Sequence, residues 1–70
     1  MTTLSKEDKI ALINQHKRNL DYSKYNLELS IIEENALTSP STAALDGLNA
    51  QIAEINSKLT ALDQELDSLE

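Results

Sequence analysis

The sequence predicts an all-α fold, a single antiparallel helical hairpin of coiled-coil type. Three observations carry this reading. The 70 residues include twelve Leu, six Ile and seven Ala but no Val, Phe, Trp or Cys, which deprives a β-domain of its usual residues. Gly and Pro occur once each, enough for about one sharp break. Leu45, Leu48, Ile52, Ile55, Leu59, Leu62, Leu66 and Leu69 are spaced alternately three and four, the heptad pattern of a helix with one apolar seam.

The elements follow in order. Residues 1–4 are expected to be a disordered N-terminus, and residues 5–70 a single domain. Ser5 is placed to cap the first helix, with Glu7 and Asp8 in the first turn, where the helix dipole favours acids. No Gly or Pro interrupts the chain from there to Leu37, so the first helix is predicted over residues 5–37. Pro40 suits a first helical position, with Ser39 as the cap of the second helix. The residue before Pro is pushed out of the α region, which ends the first helix by Thr38. The loop is therefore predicted at 38–41 and the second helix at 40–69. So short a connection makes the two helices antiparallel neighbours. Gly47 lies inside the second helix and costs about 1 kcal/mol relative to Ala.

The first helix carries two stripes. One is Ile10, Ile13, Lys17, Leu20, Lys24, Leu27 and Ile31. Folded against the second helix with paired numbers summing to about 79, it sets Ile10 on Leu69, Ile13 on Leu66, Leu20 on Leu59, Leu27 on Ile52 and Ile31 on Leu48. Lys17 and Lys24 then fall in the seam opposite Leu62 and Ile55. Their alkyl stems can cover apolar neighbours while the ammonium reaches the edge, and a seam lysine fixes register at a cost in stability.

Charge supports the same pairing. Residues 5–24 carry a net +2 and residues 25–70 a net −8. The antiparallel fold brings Lys6 and Lys9 towards Asp67 and Glu70, and Lys17 towards Asp63. Exposed pairs contribute about 0–1 kcal/mol each, so they select orientation more than they stabilise.

The second stripe is Tyr22, Tyr25, Leu29, Ile32 and Ala36, roughly opposite the first. A helix with one neighbour needs only one apolar face. This stripe is therefore the expected interface, and self-association into a dimer, as a four-helix bundle, is the expected use of it.

Little else suggests chemistry. A chain of 70 residues is too short to enclose a large core with a buried pocket. His16 is the one histidine and there is no Cys, so the usual zinc ligand sets are absent. His16 is expected at the seam edge facing Glu65. Asp63-x-Glu65-x-Asp67 lacks the glycine of a calcium loop and keeps its heptad phase. Glu33 and Glu34 point about 100° apart on a helix with no cleft around them. His16-Lys17-Arg18-Asn19 is the one basic cluster in a net −6 chain and reads as a solvated helix face, so nucleic acid is not an expected partner. No catalytic residue, cofactor or metal site is expected. The N-terminal residues lack the apolar core of a signal peptide, and no run approaches the roughly 20 apolar residues of a membrane span. A cytoplasmic protein with no membrane partner is expected.

These features lead to a non-enzymatic protein–protein interaction module, acting as scaffold, adaptor or assembly factor through self-association. The alternative is a small regulatory inhibitor of the phage-borne or accessory kind. It would bind a host enzyme or a nucleic-acid-binding protein through the same apolar stripe and its acidic surround.

Overall fold

The computed structural model describes residues 3–69 and contains two helices, α1 (Lys6–Asn35) and α2 (Thr42–Leu69), folded as a hairpin. Among the described residues there is no strand. The predicted disordered segment lies partly outside the described residues; Thr3 and Leu4 within it have no regular structure. Glu70 also lies outside them, and with it the expected approach of Lys6 and Lys9 to that residue.

The start of α1 is the predicted one. Ser5 has extended backbone, and its Oγ accepts from the Asp8 N–H at 3.1 Å. Its carbonyl accepts the first helical bond from the Lys9 N–H at 3.0 Å.

The turn differs from the expectation. Helix α1 ends at Asn35 rather than Leu37, and α2 starts at Thr42 rather than Pro40. The cap of α2 is Ser41, not Ser39: its Oγ accepts from the Ala44 N–H at 3.2 Å and its carbonyl from the Leu45 N–H at 3.0 Å. The pairing register itself explains the shift. With partners summing to about 79, a helix beginning at Pro40 would lie beside residue 39. No chain would then remain to cross the 8–10 Å that typically separate packed helix axes. Residues 36–41 make that crossing, and Pro40 stands just before the cap, where its missing N–H loses no bond.

Burial among the described residues follows the heptad row. Ile10, Ile13, Leu20, Leu27 and Ile31 of α1 are half-buried, as are Leu45, Leu48, Ile52, Leu59, Leu62, Leu66 and Leu69 of α2. Ile55 alone among the described residues is buried, at 8% exposure. Lys17 and Lys24 are half-buried within this row, as their positions require. The Lys17 ammonium pairs with Asp63 Oδ1 at 2.5 Å, the expected partner. It is the one ion pair among the described residues; the expected approach of Lys6 and Lys9 to Asp67 forms no such pair.

The second helix tolerates its glycine because nothing surrounds it. A Cβ at Gly47 would meet no atom within 4 Å, and its φ is not positive. Gly47→Ala is therefore expected to stabilise the hairpin by about 0.5–1 kcal/mol, because alanine loses less backbone freedom on entering a helix. A melting temperature that falls would show that this residue is held by something other than its helix.

Candidate interaction surface

The hairpin measures 53 × 18 × 15 Å, one layer of two helices. It exposes 5314 Å², whereas a compact monomer of this mass exposes about 4,400 Å². The most exposed large apolar side chains among the described residues include a row on the outer face of α1. Tyr22, Tyr25 and Ile32 are 64%, 61% and 63% exposed, and Leu29 is 40% exposed. Ala36, also exposed, caps the C-terminus of the helix in right-handed conformation. The seam and this stripe lie about 130–150° apart around α1 at 100° per residue. Packing on α2 therefore cannot cover it.

Local contacts hold the stripe in shape. The Arg18 guanidinium lies 5.6 Å from the centre of the Tyr22 ring and donates from Nη2 to the Tyr22 hydroxyl at 3.3 Å. A cation over an aromatic face at an exposed site contributes about 0.5–1 kcal/mol. Two shallow open grooves flank the rings. One is lined by Tyr22, Ser23, Tyr25, Asn26 and Leu29, the other by Arg18, Asp21, Tyr22 and Tyr25. Both are open hollows along a single helix and do not enclose a ligand-sized cavity.

No family model matches this chain, no curated protein matches it, and no solved structure matches it. The geometry of the face is what bears on its use.

The remaining titratable side chains are scattered. Among the described residues, no three His, Asp or Glu side chains gather as a metal site requires. His16 is exposed and lies beside Lys58, Ala61 and Leu62, not facing Glu65 as expected. Glu65 stands one turn further along the same edge, beside Lys9, Leu12 and Ile13. Edge partners on this side sum to about 77 rather than 79, which places Ala61 opposite His16. Leu4 and Leu12 share that open-end edge with Leu69.

Glu34 has a role that the sequence reading did not assign. Half-buried at the end of α1, its Oε1 accepts from the Ser41 backbone N–H at 2.8 Å. A carboxylate is unfavourable at the C-terminus of its own helix but favourable at the N-terminus of the next, and this bond reaches across to the latter. The signal was present: Glu34 continues the seam spacing three residues beyond Ile31, and a polar residue there faces the loop. Glu34→Ala is expected to lower stability by about 1 kcal/mol, with Glu34→Gln retaining most of it because an acceptor remains. Equal melting temperatures for the wild type and Glu34→Ala would remove the clamp from the account.

Proposed function

We propose that this chain is a non-enzymatic interaction module that works by self-association, a small acidic helical hairpin acting as scaffold, adaptor or assembly factor. The observation that carries this reading is the exposed stripe of Tyr22, Tyr25, Leu29 and Ile32 on a fold that buries one of its described residues. A hairpin with one seam leaves too little apolar burial to offset the ordering of about 60 helical residues, each costing roughly 1.5 kcal/mol in conformational entropy. A second interface supplies burial, and this stripe is the only row with helical spacing outside the seam. Tyrosine anchors with an adjoining arginine are the side chains that interfaces favour. The partner is thus a second copy, giving a dimer. The cytoplasm is the proposed setting, which suits a chain without cysteine.

The test is the double substitution Tyr25→Lys with Ile32→Lys, which places two charges on the stripe and none in the seam. Sedimentation equilibrium is expected to give a dimer for the wild type and a 7.8 kDa monomer with a lower melting temperature for the variant. A wild type that stays monomeric at high micromolar concentration overturns self-association. The second reading, a regulatory inhibitor, draws on the net −8 of residues 25–70 around the stripe, a surround suited to a basic partner surface. A monomeric wild type whose basic protein partner is lost by the double variant would establish it.

A further inference from the structure

We infer that two copies meet α1 against α1 in antiparallel orientation, with Leu29 on the two-fold axis and both α2 helices on the outside. The inference rests on the self-association reading above and specifies its geometry. Residues facing one another across the axis then have numbers summing to 58. Tyr22 lies against Ala36 of the second copy, and Tyr25 lies near Ile32.

Side-chain size supports this arrangement. The stripe tapers from two tyrosines at one end to an alanine at the other. A parallel pair would stack Tyr22 on Tyr22 and leave Ala36 facing Ala36, overfilling one layer and emptying another. The antiparallel pair sets Tyr22 against Ala36 and Tyr25 near Ile32, which evens the volume of the layers towards native density.

Charge points the same way. Arg18 continues the stripe four residues before Tyr22 and is held there by its contacts with that ring. In a parallel pair the two guanidinium groups would face each other. In the antiparallel pair each reaches the closed end of the second hairpin, just beyond the last turn of α1. That turn contains Glu33 and Glu34, no basic residue, and the negative end of the helix dipole.

The position of the stripe, about 130–150° from the seam and well beyond a right angle, decides the outer arrangement. A closed square bundle needs each helix to turn two faces about 90° apart towards its neighbours. Faces nearly opposite place the helices in the row α2–α1–α1–α2 instead. The four large stripe residues expose on the order of 400 Å² per copy. With Arg18, Ala36 and the flanking polar residues, the paired surface reaches roughly the 1,000 Å² of a specific contact.

The chain has no cysteine, so engineered thiols report without background. Leu29→Cys is expected to form a covalent dimer under mild oxidation, because its two copies meet at the axis within the 4–7 Å typical of disulfide-linked Cα atoms, about. Tyr22→Cys alone is expected to link at least tenfold less than an equal mixture of Tyr22→Cys and Ala36→Cys chains, since its own copies stand about 21 Å apart along the axis. A spin label at Gln15→Cys, outside the apolar stripe, leaves the interface whole and serves as the second measurement. Antiparallel pairing puts two such labels about 42 Å apart along the axis, whereas parallel pairing puts them within about 20 Å. A label distance under that value, or self-linking of Tyr22→Cys as fast as the mixture, overturns the antiparallel geometry. A dimeric wild type with these results leaves self-association standing, whereas a monomeric wild type removes both.

Discussion

Leu59→Asp is expected to unfold the hairpin at room temperature. Leu59 is half-buried at the middle of the seam, and the register sets it against Leu20. Leu20 shares one open groove with Ile55 and Lys58 and another with Lys58, Ala61 and Leu62, which is consistent with that register. Facing Leu20, a carboxylate at 59 would replace apolar contact with a desolvated charge, and the seam lysines in the adjacent layers, Lys17 and Lys24, would offset only part of that cost. The cost is about 3 kcal/mol or more, comparable to the whole stability a single core of this size supplies, about 3–5 kcal/mol. Circular dichroism at 222 nm would record the loss of helix. An unchanged melting curve at equal protein concentration would contradict the seam.

Ile55→Ala is expected to have the next largest effect, a loss of about 2–4 kcal/mol. Ile55 is the one described residue that is buried, at 8% exposure, and it stands opposite the half-buried Lys24 in the register. Truncation removes the most buried apolar side chain of the seam, and two helices have few neighbours with which to close the gap. The same truncation at Ile32, 63% exposed, should cost the isolated hairpin under about 0.5 kcal/mol. Chemical denaturation of the two variants below the concentration at which chains associate separates them. Equal midpoints would mean that Ile55 is not the centre of the seam.

The sequence made the seam legible down to single residues, because eight Leu and Ile positions on α2 and five on α1 admit one pairing when the loop is short. The buried-side lysines were legible for the same reason: Lys17 and Lys24 keep the spacing although their chemistry differs, and Lys17 meets Asp63. The outer stripe was also readable, since Tyr22, Tyr25, Leu29 and Ile32 repeat at three and four with nothing in the chain to cover them. The turn was not. Pro40 and Ser39 formed a plausible local start, but local propensity was overruled by the distance between two packed axes, which moved the cap to Ser41. Glu34 was passed over because a lone carboxylate was weighed for catalysis and not as an acceptor for the following helix. His16 was misplaced because partners on a helix edge follow a slightly different sum from those in the seam.

The short crossing between the helices also gives the hairpin a direction of assembly. Paired residues near the turn are separated by few positions in the chain: Glu34 and Ser41 by seven. At the open end, the distance from Lys9 to Leu69 spans nearly the entire chain. Bringing chain ends together costs more entropy as the intervening loop lengthens, though slowly. Contacts beside the turn therefore close at the lowest cost, and each one shortens the loop that the next must close. The hairpin forms by zipping from Glu34 and Ser41 towards Ile10 and Leu69, and frays in reverse. Because the Tyr22–Ile32 stripe lies on the early-closing half, that exposed face is organised before the open end has paired.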